Sequence, residues 1–170
     1  ASIASITQGM VKAVEYEQRY ISGNVLTGVK TDADGYIGAT HSQITVIPEG
    51  NNYDEFLGWA SLNPHKYSTS HSYFSWLFGK KKKYTIDARI RGGERAIFMS
   101  DEYDRVFPMD IYPEYLIKAI LAFDIDKMEN LGIYEVAPED FALCEFVDTS
   151  KLELQKIVRD GLERLMKEMN

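Results

Sequence analysis

The chain holds 170 residues, enough for one domain or two small ones, and its 45% apolar content is that of a globular protein with a real core. It carries 19 Lys and Arg against 26 Asp and Glu, a net charge of −7, which argues against a duplex-wrapping nucleic-acid binder. Its single cysteine, Cys144, excludes an intrachain disulfide and any zinc cage needing two or more of its own thiolates. No apolar run reaches the ~18 residues of a membrane helix, and residues 1–10 lack the basic and apolar regions of a signal peptide.

Taken in chain order, Ala1–Met10, apolar at Ile3, Ile6 and Met10, reads as a short helix ending near Gly9. Val11–Glu17, Tyr20–Thr27, Gln43–Ile47 and Phe56–Ser61 are runs rich in β-branched and aromatic residues and read as strands. Gly23-Asn24, Asp34-Gly35 and Pro48–Asn51 supply the turns between them. Asp34-Gly35 is the strongest hairpin signal, because Gly accepts the positive φ of tight hairpin turns. His71–Phe78 reads as a short helix, and Tyr84–Arg91 and Arg95–Met99 as strands around Gly92-Gly93.

From Asp110 the pattern turns helical. Pro113 suits a first turn, and Leu116, Ile117, Ile120 and Leu121 share a face. Asp124 caps a further helix that ends at Leu131-Gly132, and Pro138 opens another with Phe141, Cys144 and Phe146 inward. Ser150 and Glu153 form a capping box for a last helix, whose stripe runs Leu154, Ile157, Val158, Leu162, Leu165, Met166. The predicted fold is α+β: strands over 1–63, a basic aromatic-rich connecting region over 64–109, and a small helical domain over 110–170.

The motifs of nucleotide, metal and acyl chemistry are missing. There is no G-x-x-x-x-G-K-[ST], no G-x-G-x-x-G and no G-x-S-x-G. His41, His65, His71 and Cys144 are too scattered for a zinc site, and Asp32-Ala33-Asp34-Gly35 lacks the later ligands of a calcium loop. Cys144 falls on an inward helical position and reads as a small core residue. No catalytic, cofactor-binding or metal-binding residue is assigned.

One feature stands above this background. Residues 64–99 carry 8 basic and 2 acidic side chains, whereas 1–63 carry 3 and 7, and 100–170 carry 8 and 17. Within that basic block Tyr67, Tyr73, Phe74, Trp76, Phe78 and Tyr84 lie among Lys66 and Lys80–Lys83. Such a mixture can seat at a membrane interface, dock an acidic partner or stack single-stranded nucleic acid. The competing account is a set of core aromatics followed by a solvated lysine loop. Trp76, Phe78, Lys80, Lys81, Lys82 and Lys83 are the candidate docking residues; nucleic acid is the least favoured partner.

Several strings, in order and across nearly the whole chain, resemble the A subunit of the bacterial sodium-translocating NADH:quinone reductases. Arg19–Gly28 is similar to the family's R-x-I-S-G-S-V-L-S-G. Tyr36-Ile37-Gly38, His41–Val46, Glu55–Trp59, Arg105–Ile111, Leu131-Gly132, Glu139–Cys144 and Phe146-Val147 follow, with the weakest match over Asn63–Met99. The resemblance implies the C-terminal portion of a longer subunit, with a partial β-grasp (soluble-ligand-binding) strand unit followed by a helical domain. Some of Ile3, Ile6 and Val11 would then be left exposed or would pair with another copy.

It further implies a peripheral, cofactor-free subunit on the cytoplasmic side of the bacterial inner membrane. Its partners would be the other reductase subunits and its roles assembly and quinone contact; the charge blocks and the aromatic run, for their part, make Tyr67–Lys83 the expected docking surface towards the membrane-embedded subunits. Related subunits hold an iron–sulfur cluster through several cysteines, and Cys144 alone cannot. A colourless chain without flavin or metal is therefore expected. A stand-alone β-grasp module binding a small molecule is the alternative, and an unrecognised hydrolase the third reading.

Overall fold

In the computed structural model, which describes residues 2–11, 16–51, 57, 66, 67, 73–78, 83, 84, 86–97 and 99–169, the chain divides into two units, 1–91 and 92–170. In the first unit, β1 (Gln18–Ser22) is the middle strand of a three-stranded antiparallel sheet, between β2 (Val29–Thr31) and β3 (Ile44–Pro48). Its register sets Ile21 between Lys30 and Thr45. The described architecture is thus a mixed one, a small antiparallel sheet with several helices.

The expected strand over Tyr20–Thr27 stops at Ser22, because the next residues satisfy themselves. Asn24 Oδ1 accepts the N–H groups of Leu26 (2.8 Å) and Thr27 (2.7 Å), and Asn24 Nδ2 donates to Thr27 Oγ1. Gly23 sits at φ +102°, and a Cβ on Gly28 would lie 2.3 Å from the Asn24 carbonyl oxygen. This Gly23–Gly28 loop is the hairpin turn, joining β1 to its partner β2.

Asp34-Gly35 is not a hairpin turn, and Gly35 has no positive φ. Its turn instead receives the helix α1 (Ile3–Thr7): the Ile3 N–H donates to Gly35 O (2.9 Å) and the Ala4 N–H to Ala33 O (2.8 Å). Two of the helix's otherwise unpaired N–H groups are satisfied this way. Ile3 is fully buried, while Ile6 and Met10 are exposed.

Within the expected strand Val11–Glu17, residues 12–15 lie outside the described residues and Val11, Tyr16 and Glu17 are not in a strand. Phe56–Ser61 lies outside them apart from Leu57. The expected Gln43–Ile47 strand is β3, shifted by one residue.

Tyr84–Arg91 and Arg95–Met99 form no ladder among the described residues. Asp87 organises the first of them locally, accepting the Arg89 N–H (3.2 Å) and guanidinium bonds from Arg89 (2.6 Å) and Arg91 (3.4 Å). The second run lies beside residue 150, where the Arg95 N–H donates to Ser150 O.

In the second unit, α2 (Pro113–Ala122) buries Leu116, Ile117 and Ile120, and α3 (Ile125–Asn130) is capped by Asp124, as the spacing predicts. Gly132 takes the left-handed conformation (φ +87°) just past the end of α3. Pro138–Phe141 is a 3-10 turn leading into α4 (Ala142–Val147), and α5 (Leu154–Glu168) closes the core with Leu154, Val158 and Leu165. Gly161 lets α5 lie against α2, since a Cβ there would stand 2.5 Å from Ile120 Cγ2. Leu121, Phe146 and Met166, expected inward, are exposed.

Ser150 does not cap α5. Lys151 takes a left-handed φ of +59°, and Asp148 binds the turn instead, its carboxylate accepting the Ser150 N–H (2.9 Å) and the Leu152 N–H (2.7 Å). The first turn of α5 is satisfied from α4, where Glu145 accepts the Gln155 N–H (3.0 Å). Asp148 is buried, so its removal orphans two amide donors. Asp148→Ala should lower unfolding stability by roughly 1–3 kcal/mol, with Asp148→Asn, which keeps one acceptor, losing less. Urea denaturation of the three chains tests the order.

Candidate functional site

The aromatic part of the basic block folds into a 3-10 turn, Phe74–Phe78. With three residues per turn, one edge faces inward and two remain outside. Ser75 takes the inward edge and is buried, and its carbonyl accepts the Tyr84 O–H (3.4 Å). Phe74 (51% exposed), Trp76 (51%) and Leu77 (60%) occupy the outer edges.

A base of tyrosines lies around this turn. Tyr84 meets Tyr67 edge-on with ring centroids 5.5 Å apart, and the buried Lys66 sets its ammonium 5.6 Å from the centre of the Tyr73 ring. Of the aromatics that the competing account places in the core, Phe74 and Trp76 are half exposed, and among the described residues of this segment the buried ones are Ser75 and Lys66.

The positive charge of the block is redistributed as well. Lys66 is buried, and Arg89 and Arg91 are spent on Asp87. Burial alone would raise the Asp87 pKa, but the hydrogen bonds and charges of the two arginines outweigh it and hold the carboxyl below its ordinary value. Lys83 is exposed, and Lys80, Lys81 and Lys82 lie outside the described residues. Of the candidate docking residues, Trp76 is therefore placed on an outer edge, Lys83 in solvent and Phe78 at the end of the turn.

Phe74 and Leu77 were not singled out among the candidate docking residues, although both lie inside the Tyr67–Lys83 stretch read as the docking surface.

Two other clusters carry polar chemistry. Ser22, buried at the end of β1, accepts the Gly38 N–H (2.8 Å) and lies 2.7 Å from His41 Nδ1. The Ser22 hydroxyl has one proton, and its placement toward His41 Nδ1 satisfies both groups and ties the loop to the sheet. This is a structural knot, because the hydroxyl is buried and already engaged.

In the second unit Tyr103, Glu114, Cys144 and Asp148 share the interior. The Glu114 carboxylate accepts from Ser100 N and Ser100 Oγ (each 3.2 Å), and Tyr103 Oη lies beside Asp148 without a hydrogen bond of good geometry. Burial first, and these carboxylates second, push the Tyr103 hydroxyl pKa upward. Among the described residues no three His, Cys, Asp or Glu side chains are grouped to hold a metal ion.

No protein-family model matches the chain. Curated proteins do. Over 169 residues, 99% of the chain, it is 38% identical to the A subunit of the Na(+)-translocating NADH-quinone reductase of Yersinia pestis bv. Antiqua (strain Angola). The same identity and coverage hold for the A subunits of Neisseria meningitidis serogroup C and of Serratia proteamaculans (strain 568). The chain spans 37% of the length of these relatives.

Cys144 is fully buried in the helical core, and burial, the main cause, pushes its thiol up to about 12 from an ordinary 9.0. Thiol-selective reagents should leave the folded chain unmodified at neutral pH and label it on unfolding. The thiol is protonated in the folded chain where the unfolded chain has begun to ionise. Its contribution to stability is therefore complete below pH 9 and is lost as pH rises toward 12. Rapid labelling of the native chain would contradict this placement.

Proposed function

We propose that this chain, which belongs to the A-subunit family of Na(+)-translocating NADH-quinone reductases as a segment of that protein, serves as a peripheral docking part of the reductase complex. In this reading it is the C-terminal portion of that protein, and β1–β3 with α1 are part of a β-grasp unit. Other subunits of the complex are its partners, on the cytoplasmic side of the membrane. Among the described residues no helix is long and apolar enough to cross a membrane, which fits peripheral association. Quinone contact is assigned to the whole parent protein and to no residue here; neither a catalytic residue nor a cofactor is assigned.

The observation that carries the reading is the Phe74–Phe78 turn, with three bulky apolar side chains outward immediately before Lys80–Lys83. Desolvation of Phe74, Trp76 and Leu77 supplies affinity, and the lysines supply on-rate and orientation toward the membrane-embedded part of the complex. Their pull is long-range and fades with salt, since exposed charges are screened beyond about 8 Å at physiological ionic strength.

The paired change Lys81→Glu and Lys82→Glu should weaken assembly with the other subunits by roughly tenfold at low salt, ~1.4 kcal/mol, with the melting temperature unchanged. Trp76→Ala should cost about 2 kcal/mol of binding, the scale of an interface hot spot. Unchanged assembly and unchanged salt dependence in the lysine variant would make the lysines a solvated loop and return the small-molecule β-grasp reading to first place.

A further inference from the structure

We propose that the outer edge of β3 pairs with the same edge of a second copy of this chain, joining two three-stranded sheets into one of six strands. The register of the sheet fixes which backbone groups are left for this. The Gly23 N–H donates to Gln43 O and the Glu49 N–H to Glu17 O (each 2.9 Å), so the odd-numbered residues of β3 turn their N–H and C=O groups toward β1. Ile44, Val46 and Pro48 turn theirs the other way. Pro48 has no N–H, and its oxygen accepts the Ala88 N–H (2.9 Å). That leaves two donors and two acceptors, on Ile44 and Val46, with no partner among the described residues.

The two edges of the sheet are guarded unequally. β2 is three residues long, and the residue whose backbone groups face away from β1 is Lys30, with an exposed, charged side chain. Short edge strands and lysine are the usual protection against strand addition. β3 carries only Pro48, at one end. Ser42–Pro48 holds no charged residue, Ile44, Thr45, Val46 and Ile47 are all β-branched, and every position of the strand is partly exposed.

Spacing makes the second copy fit. A two-fold axis at Thr45 sets Ile44 opposite the second copy's Val46, and Val46 opposite its Ile44. Each pair exchanges two N–H···O bonds, so every outward group of both residues is satisfied on both copies. A register centred on Val46 would instead set Ile44 against Pro48, which lacks the donor and whose oxygen is taken. In the Thr45 register the cross-strand pairs are β-branched, and the first charged position, Glu49, faces His41 and not a like charge. Ala88 closes the edge at Pro48, which keeps the ladder short. This pairing uses no residue of the docking surface.

The test is sedimentation velocity of the full chain over a range of concentrations. The average mass is expected to rise from one chain toward two and to stop there. Thr45→Lys sets like charges face to face on the axis, and Thr45→Glu does so with the opposite sign. Each alone should move the midpoint of association to a roughly fivefold higher concentration or more, and an equal mixture of the two should restore it. Recovery in the mixture separates lost pairing from the shared loss of the Thr45 Oγ1 bond to Gly23 O (2.8 Å). Opposed residues without hydrogen bonds between them lie with Cα atoms about 4.5 Å apart, within disulfide reach. Thr45→Cys should therefore give a covalent dimer with oxidised glutathione, and Lys30→Cys on the other edge should not; the buried Cys144 takes no part.

A chain that stays monomeric at every concentration overturns the second copy, as does association that the charge variants leave unmoved or that their mixture does not restore. If the chain is monomeric and Thr45→Lys still weakens assembly with the other reductase subunits, a strand of one of them fills the edge and the second copy is ruled out.

Discussion

The close approach of α5 to α2 at Gly161 is the constraint on which the helical unit depends. A side chain there would collide with Ile120, so the absence of one allows Val158 and Leu165 to pack toward Leu116, Ile117 and Ile120. Each large side chain so buried contributes about 1.5–3 kcal/mol. The same core takes in Phe107 and Phe141, whose rings sit 4.8 Å apart, and Cys144. Buried carboxylates then fix the loops around it, Glu114 holding Ser100 and Asp148 holding the turn into α5.

The sheet unit is organised by different means. Its strands are short, and the connections do much of the fixing. Asn24 closes the hairpin loop, Ser22 and His41 tie the next loop to the end of β1, and the 33–35 turn receives the first N–H groups of α1. At the other end of β1, Arg19 makes a two-point contact with Glu49 (2.8 and 2.5 Å), and this bonding holds the Glu49 carboxyl below its ordinary pKa. Pro48 then accepts the Ala88 N–H, and Arg89 lies over Gly50, where a Cβ would be 2.7 Å from Arg89 Cγ. Polar satisfaction of loops thus sets this unit's shape as much as apolar burial does.

The docking reading follows from how these local charges and hydrogen bonds are satisfied. Asp87 pairs with both arginines and offsets one of their two charges, and the Lys66 ammonium lies over the Tyr73 ring, so most of the charge left for a partner is that of the lysine run. The turn before that run buries a serine and exposes Phe74, Trp76 and Leu77. Burying three bulky apolar groups against something outside the chain is favourable, and the lysines choose what that something is.

The sequence by itself determined the broad class, the likeness to the reductase A subunits and most of the helical unit. Pro113, Asp124 and Gly132 carry local backbone chemistry that works without reference to distant residues, and the helices they bound fall where the pattern put them. The basic aromatic island was equally legible, because charge and composition are one-dimensional quantities. Only the tertiary structure decided where competing local signals were equal. Asp34-Gly35 looked like the hairpin and serves α1, while Gly23–Gly28 makes the turn, because Asn24 bonds across that loop. Ser150 had the cap pattern, yet Asp148 took the amides first. Which face of the 74–78 turn points out was likewise invisible along the chain. Five residues hold too few periods to reveal an inward edge, and the choice of Ser75 was made by its long-range contact with Tyr84.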